Sequence, residues 1–181
     1  MFDKLEDWPS DNIIKKLTII AIILFPVSYL IMSPFFFLSG FPSTATMSSQ
    51  LCFSGPILKS LYAFIVATPN GVFFYTIAQS ADYFFMVVYG LLIFNLALFI
   101  GRKFDSNSNW RKSSYIISLF GIIAPSCDAV ENAFILLTIT DPLGFPDIWA
   151  VIHSVFALIK WILLILAIVW AFIAAIASKR R

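Results

Sequence analysis

The sequence predicts an all-α integral membrane protein, a four-transmembrane-helix bundle of N-in/C-in topology with a long, partly structured non-cytoplasmic loop between helices 1 and 2. Three observations predict it. The 181 residues are 60% hydrophobic, with a mean hydropathy of +0.92. Only 12% are charged, about half the share of a soluble domain, so the apolar residues need a second apolar solvent, which the bilayer supplies. Lysine and arginine, finally, gather at alternate ends of the apolar runs.

The chain reads as a single membrane domain, 1–181. Residues 1–16 mix acids and bases (Asp3, Lys4, Glu6, Asp7, Asp11, Lys15, Lys16) and read as a cytoplasmic lead-in. The first span is expected over residues 17–38; a run of this length crosses a ~30 Å core and exceeds a signal-peptide h-region. Residues 39–75 form the external loop. Within it, 57–67 is apolar but too short to span, so it lies in the interface or re-enters against protein. Thr68-Pro69-Asn70-Gly71 is a turn signal. The second span is placed at 76–101, ahead of Arg102-Lys103, and the third at 114–139. The fourth is placed at 147–176, where Pro146 and Asp147 suit a helix N-terminus. No internal repeat is visible.

Orientation follows from the cations. Lys4, Lys15 and Lys16, then Arg102, Lys103, Arg111 and Lys112, then Lys179, Arg180 and Arg181 all fall on one side of a four-span chain. The opposite side holds Lys59 with Asp141 and Asp147. The positive-inside rule makes the richer side cytoplasmic, and a multi-pass protein of the cell (plasma) membrane is the expected location.

Ionisable side chains inside spans are the chemical signal, because each costs roughly 2.5–3.5 kcal/mol at a helix centre on insertion scales. The third span carries Asp128, Glu131 and Asn132, at spacings i, i+3 and i+4 that share one helical face. The fourth carries His153 and Lys160, two turns apart on one stripe. The second carries Asp82 and Tyr89, also seven apart. At ~1.5 Å rise per residue, Lys160 falls level with Asp128 and His153 near Glu131, while Asp82 falls near the outer edge. All gather in the non-cytoplasmic half. An Asp128–Lys160 ion pair is expected, leaving Glu131 to His153, Asn132 and the tyrosines, with Asp82 at the mouth. These seven residues are the candidate ligand- or ion-binding set; the sequence names neither a catalytic residue nor a cofactor. His153 with two carboxylates lacks the spacing of a metal centre. Cys52 and Cys127 read as ordinary small apolar residues.

The four-span plan with a large first external loop resembles claudin-type proteins in outline only. Their paired loop cysteines and Trp–Gly–Leu–Trp pattern are absent, so no functional residue is carried over.

The expected function is a small membrane-embedded binding or transporter-like protein. Its buried acidic and basic groups would serve a lipid headgroup, a proton or a small cation, with Asp82 and His153 gating access. One alternative is a structural or assembly subunit in which the cluster locks helix packing. Another is a lipid-modifying enzyme with Glu131 or Asp128 as base and His153 as partner. The implied partners are the lipid bilayer and a lipid or other amphiphile, with a homo-oligomer left open. A formal charge of +2 gives no footing for nucleic acid.

Overall fold

The computed structural model describes residues 2–179, with side chains from Leu5 onward. The Lys4 side chain and Arg180 and Arg181, three of the ten cations above, lie outside the described residues. The described chain is all-helical: α1 (Phe2–Asp7), α2 (Asp11–Leu38), α3 (Thr46–Gln50), α4 (Gly55–Ala67), α5 (Gly71–Gly101), α6 (Asn109–Thr138) and α7 (Asp147–Lys179). Four of these, α2, α5, α6 and α7, are long and apolar enough to cross a membrane.

The helices run past the apolar segments that betray them. α2 starts at Asp11 rather than 17, with Ser10 in extended backbone ahead of it and an acid in its first turn. α6 starts at Asn109 rather than 114 because the Ser108 hydroxyl accepts the Arg111 amide at 3.1 Å. α5 starts at Gly71 rather than 76, directly after Asn70 in left-handed backbone. α7 continues to Lys179. Hydropathy marks where a helix is apolar; caps mark where it ends.

Packing explains the order. The buried residues of α2 are Ile14, Thr18, Ala21, Ser28 and Met32, a mostly small-residue stripe at intervals of four, three, seven and four. That stripe lets α2 lie closely on α5. α7 packs on α6 and likewise buries small residues, Ala150, Ala157, Ala167 and Ala174. α5 and α6 therefore form the middle and α2 and α7 the flanks. Only 17% of the most apolar stretch of α2 and 11% of that of α7 is buried. Two flanking helices with so much bare Ile, Leu, Val and Phe fit a multi-pass membrane protein, because soluble monomers rarely leave large apolar patches in water.

One pole of the bundle is tied by arginines. The Arg102 guanidinium donates to the carbonyls of Leu5 (2.8 Å) and Pro9 (2.7 Å) and to Asp11 (2.7 Å). Arg111 donates to Glu6 through Nε at 3.0 Å and to the carbonyls of Arg102 and Phe104. The hydrogen bond from Tyr115, then those from Arg111, hold the Glu6 carboxyl below its ordinary value. Its contribution is therefore complete above the ordinary carboxylate range and is lost as pH falls through the lowered value. Near the end of α7, Trp170 donates to Ser113 at 2.8 Å and Ala174 packs with Ile100 and Phe104. In an Arg102→Ala variant, the amides of Leu5 to Asp7 should exchange with solvent roughly tenfold faster or more, the worth of one charge-assisted hydrogen bond. Unchanged exchange would mean that something else holds α1.

The opposite pole is a cap made from residues 39–70. Trp161 donates to Gln50 at 2.7 Å, the Phe53 amide donates to Ser154 at 3.1 Å, and Lys59 pairs with Asp147 at 2.7 Å. Ser54 caps α4, with Pro56 in its first turn. Tyr62 and Thr138 share a hydrogen bond at 3.1 Å within a core of Phe41, Leu58, Tyr75, Ile135 and Phe145.

Candidate functional site

The seven residues singled out from sequence lie together as two sets, a chain Tyr89–Asp128–Lys160–Glu131–His153 and, beside it, the pair Asp82–Asn132. α6 presents Asp128, Glu131 and Asn132 inward, α7 presents His153 and Lys160, and α5 presents Asp82 and Tyr89. The Lys160 ammonium stands 2.9 Å from Asp128 Oδ1 and 2.6 Å from Glu131 Oε2. Tyr89 donates to Asp128 Oδ2 at 2.8 Å. Asn132 donates to Asp82 Oδ2 at 2.6 Å, and His153 Nε2 lies 3.7 Å from Glu131 Oε1. Glu131 is fully buried, and Asp128, Asn132, His153 and Lys160 are each at most 5% exposed.

Two details differ from the sequence expectation. Lys160 bridges two carboxylates instead of one, because Glu131 is one helical turn from Asp128 and both reach the same ammonium. Asn132 serves Asp82 rather than Glu131. α5 runs eleven residues beyond Asp82, ~16 Å of helix, and Asp82 lies level with Asn132.

The group has two tiers. A cavity of about 530 Å³ opens between α2 and α7 over α5 and α6, and Asp82, Tyr89, Asp128, Asn132 and Lys160 form its polar floor. Its walls are mostly apolar or aromatic, among them Phe25, Met32, Phe85, Trp161 and Leu164. Glu131 and His153 stand behind Lys160 and do not line it. Among the described residues no hydroxyl or amide donates to Glu131, so Lys160 carries most of that carboxylate's compensation.

Sequence reasoning missed Tyr75 and Gln79, which line the same cavity. The signal was present: Tyr75, Gln79, Asp82, Met86 and Tyr89 recur at intervals of four, three, four and three, one face of α5. Tyr29 and Gln50, also in the lining, carry no such signal, since α2 and the cap reach the cavity only through tertiary packing.

A second hollow of about 520 Å³ lies nearer α1, between α2, α5 and α6. No charged side chain lines it; Asn95 is its one buried polar residue. A Glu131–His153–Ser154 sequence of neighbours also exists, with His153 Nδ1 at 3.5 Å from the Ser154 hydroxyl. Ser154 is fully buried, accepts the Phe53 amide and lines neither cavity, so it is not placed as a reachable nucleophile. Among the described residues, no group of three or more His, Cys, Asp or Glu is arranged to hold a metal ion.

The four helices are long and apolar enough to cross a membrane, which fits a multi-pass membrane protein, and they surround a cavity with a charged floor. No protein-family model, curated protein or solved structure matches the chain.

Proposed function

We propose that the chain is a membrane-embedded binding or transporter-like protein that takes an amphiphile into the cavity between α2 and α7. The observation that carries this reading is the pairing of an apolar-walled cavity with a charged floor in one 530 Å³ space. That volume lies in the range of small-molecule sites. The tail of the guest would lie along the walls and its head would meet the floor. An ionisable floor at membrane depth is costly and is kept where it serves a ligand or an ion path.

The arginine-tied pole, with both ends of the described chain near it, is proposed to face the cytoplasm, because the cations cluster there. The cap of residues 39–70 would then face outward, and the plasma membrane is the proposed location.

Native mass spectrometry of protein released from its own membrane tests the binding reading. Wild-type protein should carry a discrete amphiphile adduct. Leu164→Trp, which fills the cavity from α7, should reduce its occupancy about tenfold, a loss of ~1.4 kcal/mol. A bare wild-type mass, or an adduct indifferent to Leu164→Trp, would reject it.

A second reading is favoured by the Lys160 bridge itself, in which the ion triad serves to lock α6 on α7. The charge substitutions argued in the Discussion separate the two.

A further inference from the structure

The floor of the cavity and the tier behind it are together not balanced in charge. Three carboxylates, Asp82, Asp128 and Glu131, meet one ammonium, Lys160. That ammonium is spent on Asp128 and Glu131, at 2.9 and 2.6 Å. Both oxygens of Asp128 are likewise taken, by Lys160 and Tyr89. Asp82 is different. It accepts one hydrogen bond, from Asn132 on Oδ2, and among the described residues no cation lies within ion-pair distance of it. It is half-buried and lines the cavity, beside the aromatic rings of Tyr75, Phe85 and Tyr89.

We infer that the cavity selects a lipophilic amine, whose ammonium pairs with Asp82 while its apolar body lies along the walls from Phe25 to Leu164. This inference rests on the amphiphile reading and names its headgroup. Charge complementarity decides the sign. An anionic head would have to approach Asp82 and Asp128 with no free cation to receive it, since a carboxylate or phosphate needs a Lys or Arg donor that is not already engaged. A neutral head would leave Asp82 unpaired at membrane depth, where a lone carboxylate is costly. An ammonium meets that carboxylate and also the electron-rich faces of the lining rings. A bare metal cation fits less well, because it demands several oxygen ligands to replace its water shell, whereas most of this cavity's wall is apolar.

Equilibrium binding of tritiated decylamine, decanol and decanoate to the purified full chain in detergent tests this, with Asp82→Asn alongside. Asparagine keeps an acceptor for Asn132 and removes the charge. Decylamine should bind saturably, roughly 10- to 100-fold tighter than decanol, the worth of one charge-assisted pair, and decanoate should bind weakest. Asp82→Asn should erase the margin of amine over alcohol while leaving decanol binding intact, which also reports that the cavity is still formed. Equal saturable binding of amine and alcohol to wild type would overturn the amine inference and leave the amphiphile reading standing. Tightest binding of decanoate would do the same. An amine preference that survives Asp82→Asn would overturn the role of Asp82. Saturable binding of none of the three would overturn both readings. The wild-type ranking decides the headgroup even where the variant does not fold.

Discussion

Lys160→Met should be the most damaging single charge substitution in the chain. It removes the one ammonium between Asp128 and Glu131 and leaves two carboxylates, 5% and 0% exposed, facing the same space. Breaking a buried pair by deleting one partner costs about 3–5 kcal/mol, because the remaining charge keeps its desolvation penalty without its compensation. In a chain of this size that corresponds to a fall in melting temperature on the order of 10 °C. A triple variant, Asp128→Asn with Glu131→Gln and Lys160→Met, should recover most of the loss, since the buried charge leaves with its partner. Thermal unfolding in one detergent measures all three proteins. Melting of Lys160→Met within roughly 2 °C of wild type, less than 1 kcal/mol, would show that the triad does not hold α6 on α7. The triple variant also separates the two functional readings. A pure helix lock tolerates neutralisation and keeps the bound amphiphile. A binding floor loses affinity, because Asp128 and Lys160 line the cavity themselves.

The cluster was legible in sequence for a physical reason. Charges are scarce in a 60% apolar chain, and those inside spans must find one another. The i, i+3, i+4 spacing of Asp128, Glu131 and Asn132 fixed their common face, and counting residues from the turn at 140–146 put Lys160 opposite them. How far α5 runs beyond Asp82 was not legible, because its start is set by the Asn70 turn, which hydropathy does not mark. Which acid would be left without a cation was not legible at all. That depends on side chains a turn apart competing for one ammonium, and Asn132 turns toward Asp82 only because α5 packs there. Nor could the cavity be read. It exists because α2 packs on α5 and α7 on α6, leaving a gap between the flanks that no single segment encodes.

Gly90 and Gly121 set the other large expectation. A side-chain carbon on Gly121 would sit 2.6 Å from the Gly90 carbonyl oxygen and 2.6 Å from the Phe94 nitrogen. One on Gly90 would sit 2.6 Å from the Gly121 carbonyl oxygen and from Pro125 Cγ. The obstructions are mostly backbone, which cannot rotate aside, so α5 and α6 cross here in direct main-chain contact. Small residues at such crossings are how helices associate where lipid offers no hydrophobic drive. Gly121→Ala should cost about 1–3 kcal/mol by overpacking. Gly121→Leu should cost more, because four added carbons must part the helices rather than nudge them. The damage should reach the site as well. Tyr89 is the neighbour of Gly90, and its hydroxyl reaches Asp128 on the other helix at 2.8 Å. Separating α5 from α6 stretches that bond and the Asn132–Asp82 bond together. Graded melting losses from glycine through alanine to leucine, with amine affinity falling in step, are the expected result. If Gly121→Leu melts and binds like wild type, the two backbones do not touch and the floor of the cavity is not held by this crossing.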